Sequence, residues 1–246
     1  KAIIPVHLYG QTCNMNELIK IAKKNNLKII EDCAQSTGSI YFKKKSGSFG
    51  DFGCFSFYPT KILGAYGDGG FISTNNKRLY KKIKRIRFMG VDLKKKNYRY
   101  YAHEQGTNSR LDELQASLLN IKLSKIKKYI KERQENAKKY YKFLKNSSLI
   151  LPSYNKKNPS VFYEYVVRHK ERNKILIQLK KKKIFLKITY PYPIHKMTPY
   201  KKYQKIKKLE NTEKYSEEIF SLPVYPGIRP YEIKKICKNI INYLKK

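Results

Sequence analysis

The sequence predicts an α/β fold built on a mainly parallel sheet. An apolar run, Ala2-Ile3-Ile4-Pro5-Val6, leads through a helical pattern to a second apolar run, Leu27-Lys28-Ile29-Ile30, with short connections on either side. Strand, helix, strand in that order is a crossover unit, which sets its two strands parallel. The second run ends at Glu31-Asp32, and ligands of such sheets sit beyond the carboxyl ends of the strands. At 246 residues and 41% hydrophobic composition the chain can bury a sizeable core, as one large or two small domains.

The elements follow in order. Residues 2 to 6 read as a buried strand. Asn14-Met15-Asn16-Glu17 has the form of a capping box, so a helix is expected to about Asn25, with Met15, Leu18, Ile21 and Ala22 inward and Lys20, Lys23 and Lys24 outward. Further strands are expected over Gly53 to Tyr58 and Gly70 to Thr74, then a helix from Lys77 to Phe88 closed by Gly90. The stretch from Val91 to Gly106 lacks periodicity and reads as a loop. From Arg110 to Leu144 the pattern is one long helix or two abutting ones, whose Leu111, Leu114, Leu118, Ile121 and Ile126 form a core or dimer stripe. A turn spans Pro152 to Pro159. Beyond it come a strand at Phe162 to Val167, a basic helix to Lys183, a strand-like Phe185 to Tyr190, a Pro/Tyr-rich loop through Pro199, a polar helix, and a closing amphipathic helix from Tyr231. The composition shift puts a domain boundary near 128 to 150, giving domains 1–128 and 129–246.

Composition narrows the function classes. The formal net charge of +37 comes from 55 Lys and Arg spread along the chain in runs such as Lys43 to Lys45, Lys94 to Lys96 and Lys180 to Lys183. The 22 tyrosines follow no repeated base-stacking module, so the charge reads as solvated lysine-rich faces and nucleic acid is not the expected partner. No apolar run is long enough to span a bilayer, and a cytoplasmic protein is expected. Cys13, Cys33, Cys54 and Cys237 form no CxxC pair or zinc-type spacing; neither a metal nor a disulfide framework is expected.

One lysine stands apart. Lys61 follows the strand Cys54-Phe55-Ser56-Phe57-Tyr58-Pro59-Thr60 and precedes the glycine-rich Gly64-Ala65-Tyr66-Gly67-Asp68-Gly69-Gly70. An amine held in a partly desolvated pocket at a strand end has a lowered pKa and is free to form Schiff bases. Asp32 at a neighbouring strand end can pair with a protonated pyridine nitrogen, Ser56 can donate to a phosphate, and Gln35 can reach a phenolic ring oxygen. These are the groups a pyridoxal 5'-phosphate (PLP) enzyme needs. Taken singly, Asp32 reads equally well as a loop cap, Ser56 as a strand residue and Gln35 as a surface amide. His7 and His195 read as loop hydrogen-bonding residues without a catalytic role.

Six linked stretches, Ile4 to Gly10, Ile30 to Gln35, Gly50 to Gly53, Phe55 to Lys61, Gly67 to Gly70 and Asn108 to Ala116, together with Tyr190-Pro191, His195 and Ser221 to Pro226, resemble the DegT/StrS-type sugar aminotransferases in order and spacing. The resemblance covers essentially the whole chain. It implies the PLP-dependent transferase fold type I, with residues 1–128 as the C-terminal part of the large PLP-binding domain and 129–246 as the small C-terminal α/β domain. It implies a homodimer that moves an amino group from glutamate to a keto group of a nucleotide-linked deoxyhexose.

The same resemblance gives Lys61 the Schiff base and the proton shuttle, Asp32 the pyridine nitrogen, Gln35 the ring oxygen and Ser56 the phosphate. It gives Asn108 the cofactor phosphate of the partner subunit, and Arg110 an acidic substrate. A sugar-dehydrating branch of the superfamily carries histidine in place of the lysine, and Lys61 speaks against it. The Gly67-Asp68-Gly69-Gly70 turn and the Tyr58-Pro59-Thr60 before Lys61 resemble enzymes aminating C3 of the hexose more than those aminating C4. Roughly the first third of a typical member has no counterpart in this sequence, including the turn that grips the PLP phosphate and the aromatic residue that stacks on the ring. Residues 1–246 alone are therefore expected to bind PLP weakly or not at all. The alternative is a truncated, non-enzymatic remnant acting as a basic partner- or nucleic-acid-binding protein, recognised by a steep salt dependence of binding and no spectral response to PLP.

Overall fold

The computed structural model describes residues 1–96, 101–153, 155–203 and 208–245. It divides into two compact units, 1–128 with 155–161, and 129–154 with 162–246.

In the first unit a four-stranded sheet has the order β1 (Ala2–Ile3), β2 (Lys28–Asp32), β5 (Phe52–Ser56), β6 (Gly70–Ser73). β1 pairs with β2 and β2 with β5 in parallel, while β5 and β6 run antiparallel. The first strand is shorter and more open than expected. Pro5 has no amide to give, pairing resumes only as a bridge between Val6 and Asp32, and Ile4 is 62% exposed on this edge. At the other edge Phe71 and Ile72 of β6 are exposed as well.

Helix α1 (Met15–Lys24) buries Met15 and Ala22, with Leu18 and Ile19 packed beside them, against Ile29 and Tyr41. Ile21, expected inward, is instead exposed. The capping box does not form: Asn14 makes no side-chain cap, because its Oδ1 accepts from the Tyr41 hydroxyl at 2.7 Å. The helix ends where Asn26 takes a left-handed conformation, φ +50°. A hairpin, β3 (Ile40–Tyr41) with β4 (Lys44–Lys45), was not expected; it turns through Phe42 and Lys43, both at positive φ. Thus part of the Lys43 to Lys45 run is strand.

Helix α2 (Lys77–Ile86) starts on Asn76, whose Oδ1 accepts the Arg78 and Leu79 amides, and Gly90 at φ +75° returns its amide to the Arg85 carbonyl. Of the loop expected over 91–106, residues 97–100 lie outside the described residues, as does residue 154 of the Pro152 to Pro159 turn. Of the two forms expected over Arg110 to Leu144, one long helix or two abutting ones, the chain takes the second, α3 (Glu113–Ser124) and α4 (Ile126–Leu144). The expected stripe is not core throughout, for Leu114 is 70% and Ile121 58% exposed.

The second unit is organised around the antiparallel pair β7 (Tyr165–Arg168) and β8 (Ile219–Leu222), covered by α4, α5 (Arg172–Lys181) and α7 (Pro230–Leu244), with α6 (Glu210–Glu218) leading into β8. Tyr140, Leu144, Val167, Ile175, Phe220, Leu222, Ile233 and Ile240 form its core. Segment 185–190 is not a strand. A single bridge, Lys187 with Ser221, joins it to β8, and Glu164 ties it down by accepting from the hydroxyls of Thr189 at 2.5 Å and Ser221 at 2.6 Å. Among the described residues no helix is long and apolar enough to cross a membrane.

Candidate active site

β2 and β5 carry the candidate residues at their carboxyl ends, and register decides which share a face. Asp32 lies opposite Cys54 in the parallel pair, so with period-two alternation Asp32, Cys54 and Ser56 project to one face and Glu31 to the other. Asp32 is half-buried. Its Oδ1 accepts the Ala34 amide at 3.0 Å, its own amide donates to the Pro5 carbonyl at 2.9 Å, and its carbonyl accepts the His7 amide at 3.0 Å. Gln35 is buried in the following turn, with Oε1 accepting the Tyr9 amide at 2.7 Å. The Ser56 hydroxyl oxygen accepts the Tyr58 amide at 3.3 Å.

Lys61 is half-buried in the turn that leaves β5, its amide donating to the Tyr58 carbonyl at 2.9 Å. Two further backbone bonds, from Ala65 to the Phe57 carbonyl at 2.7 Å and from Phe57 to the Gly69 carbonyl at 2.8 Å, close this loop on itself. Helix α3 braces it from outside: Gln115 Oε1 accepts the Tyr66 amide at 2.8 Å, and Lys122 Nζ donates to the Gly64 carbonyl at 2.7 Å while lying 4.2 Å from the Tyr66 ring centroid. Leu63, Ala65 and Leu119 pack beneath. Neither brace stands out in the sequence. Gln115 sits inside the quoted Asn108 to Ala116 stretch, while Lys122 has no signal that separates it from the other surface lysines.

Gly64 is where the turn comes closest to itself, since a Cβ there would lie 2.4 Å from the Pro59 carbonyl oxygen and 3.0 Å from that of Tyr58. Gly64→Ala is expected to cost about 1–3 kcal/mol, as overpacking against backbone does, measurable by denaturant unfolding.

Asn108 and Arg110 stand on a separate, exposed segment held to the end of α2 by a bridge between Phe88 and Asn108. They bond to each other, Arg110 Nε to Asn108 Oδ1 at 3.0 Å, and the guanidinium lies 5.4 Å from the Phe88 ring centroid.

On the opposite face Glu31 is fully buried. Its Oε1 accepts the Phe49 and Gly50 amides at 2.6 and 2.8 Å, and its Oε2 the Gly47 amide at 2.8 Å and His7 Nε2 at 2.9 Å. Burial pushes this carboxyl up, but the His7 ring and the Gly50, Gly47 and Phe49 amides outweigh it and hold the group below the usual carboxylate range. A depressed folded-state pKa contributes stability that is present above the unfolded value, 4.5, and is lost as pH falls through the folded one. Thermal stability is therefore expected to fall below about pH 4.5, and Glu31→Gln should flatten that acid limb.

His195, read as a loop residue, bonds through Nε2 to Glu213 at 3.1 Å. Lys196, the Leu209 amide and His195 hold Glu213 down at about 2. This ties the segment after Pro193 to α6.

The model of the DegT/DnrJ/EryC1/StrS aminotransferase family matches residues 1–241. A relative from Aneurinibacillus thermoaerophilus, a dTDP-3-amino-3,6-dideoxy-alpha-D-galactopyranose transaminase, is 42% identical over 99% of this chain and 65% of its own length. Another from Micromonospora megalomicea subsp. nigra, a dTDP-3-amino-3,4,6-trideoxy-alpha-D-glucose transaminase, is 40% identical over 95% of this chain and 63% of its own. The crystal structure of a DegT DnrJ EryC1 StrS aminotransferase from Brucella abortus matches with a TM-score of 0.94 at 35% identity, over 100% of this chain and 65% of that one. The fold is thus that of the PLP-dependent transferases of fold type I. More narrowly, the chain belongs to the DegT/DnrJ/EryC1/StrS aminotransferase family, and it spans 63% and 65% of the length of the two curated relatives.

Proposed function

We propose that the protein is a PLP-dependent aminotransferase of the cytoplasm that moves an amino group from glutamate to the keto group, at C3, of a nucleotide-linked deoxyhexose. The observation that carries this reading is the placement of Asp32 and Ser56 on one face of adjacent strands, with Lys61 in the braced turn that follows. Family membership and the transaminase relatives favour it over a basic, non-enzymatic remnant. The two relatives described are both transaminases of 3-amino sugars, which favours C3.

The donor set fits the cofactor. One carboxylate, one amine, one hydroxyl and one carboxamide match the ring nitrogen, aldehyde, phosphate and phenolic oxygen of PLP. When bound, PLP supplies the electron sink for the carbanion formed at the substrate carbon. Asp32 holds the proton on the ring nitrogen, and the Ala34 amide keeps that carboxylate oriented. Ser56 takes the phosphate and Gln35 the ring oxygen. Lys61 Nζ would hold the cofactor through its carbonyl carbon, the carbonyl oxygen leaving as water, and would carry the proton to and from the substrate carbon. Arg110 takes the acidic donor.

By the family resemblance Asn108 would hold the cofactor phosphate of a partner subunit, which requires a homodimer. The exposed Leu114, Ile121 and Leu123 of α3 support one. Leu114→Glu combined with Ile121→Glu is expected to convert dimer to monomer in sedimentation analysis.

The function is tested by the half-reaction in the full-length protein. Glutamate alone should bleach the visible band of bound PLP and release stoichiometric 2-oxoglutarate, and a nucleotide-linked 3-keto hexose should restore the band. Absence of 2-oxoglutarate with a loaded enzyme would overturn the assignment.

A further inference from the structure

His7 and Glu31 are both fully buried, bonded to each other, and without a part in the chemistry proposed above. The Cys13 amide donates to His7 Nδ1 at 3.2 Å, so the ring proton is on Nε2, aimed at Glu31. The four donors on Glu31 come from two loops that flank β2: His7 from segment 6–10, and Gly47, Phe49 and Gly50 from segment 46–50. Segment 46–50 is itself pressed onto β5, where a Cβ on Gly53 would lie 2.3 Å from the Gly47 Cα.

Segment 5–10 is the other half of the device, because it touches both groups assigned to the pyridine ring. Pro5 accepts the Asp32 amide and His7 donates to the Asp32 carbonyl. Two residues on, Tyr9, in a left-handed conformation at φ +56°, donates its amide to Gln35 Oε1. The ligand atoms of His7, Glu31 and Cys33 lie within 4.8 Å of one another, a spacing a metal ion can use. Here both His7 ring nitrogens and both Glu31 oxygens are already taken by hydrogen bonds.

We infer that the His7–Glu31 pair is a positioning device: it clamps segment 5–10 so that Asp32 and Gln35 are held in place for the cofactor ring. Only the cofactor part of this inference rests on the proposed function.

Amide hydrogen exchange on the cofactor-free full-length protein tests it. In His7→Asn, whose side chain keeps an acceptor for Cys13 but is too short for Glu31, and in Glu31→Gln, the Tyr9 and Asp32 amides should exchange at least about tenfold faster, as for loss of about 1.4 kcal/mol of local protection. His7→Gln, whose amide nitrogen reaches the Nε2 position, should retain their protection. The Val166 and Val167 amides of β7 serve as the unaffected reference. Unchanged Tyr9 and Asp32 exchange in a folded His7→Asn would overturn the inference. On the loaded protein, His7→Asn and Gln35→Ala should each weaken PLP binding about tenfold and the double variant well under a hundredfold, because residues sharing one network are not additive. A hundredfold loss in the double variant, or none in His7→Asn, would also overturn it. If the wild type forms no lysine adduct with PLP, the proposed function fails, while the exchange result still decides whether the pair holds the segment.

Discussion

Lys61→Ala is expected to abolish the visible PLP band in the full-length protein and to reduce half-transamination with glutamate by at least about 10³-fold. Two roles are lost together in this reading: the amine that holds the cofactor and the base that moves the proton, and proton transfer alone is worth about 10²–10⁴-fold. The fold should survive. The turn is held by the backbone bonds of Lys61, Ala65 and Phe57 and by Gln115 and Lys122 from α3, so the unfolding free energy should change by no more than about 0.5 kcal/mol, as for substitutions away from core packing. A variant that lost the band through general unfolding would show it in that measurement.

Asp32→Asn should keep the cofactor and lose the chemistry. Asparagine retains Oδ1 to accept the Ala34 amide, and the backbone bonds to Pro5 and His7 do not depend on the side chain. What disappears is the negative charge that keeps a proton on the ring nitrogen. Removing one preorganised electrostatic group from a reaction centre costs on the order of 10²–10³ in rate. Half-transamination should fall by that amount while PLP remains attached to Lys61. An unchanged rate would remove Asp32 from its assigned role.

The elements legible in the sequence are those whose signals are local. The strands at 28–32, 52–56 and 70–73 and the helix at 77–86 combine apolar patterning with nearby turn residues, and Asp32, Ser56 and Lys61 stand out because they sit where those strands end. Elsewhere a local signal is overridden by a partner distant in the chain. Asn14 has the sequence of a helix cap but is taken by Tyr41, 27 residues away. The hairpin at 40–45 turns through Phe42 and Lys43, both left-handed, where a two-residue hairpin turn usually carries Asn-Gly or Gly. Its support comes from residue 157, through the Phe42 amide to the Lys157 carbonyl and the Lys157 ammonium 5.7 Å from the Phe42 ring centroid. In the site, the bracing of the Lys61 turn spans 49 residues for Gln115 and 58 for Lys122. Glu31 was legible as a strand-end residue, but no local pattern shows that one carboxylate gathers three backbone amides and a histidine.

Reductive trapping addresses the role of Lys61 most directly. The full-length protein is loaded with one equivalent of PLP, reduced with borohydride, digested and mapped by mass spectrometry. The pyridoxyl group should be found on Lys61, and prior treatment with glutamate should prevent the labelling. Label spread over the exposed lysines in proportion to their accessibility, unaffected by glutamate, would contradict the assignment.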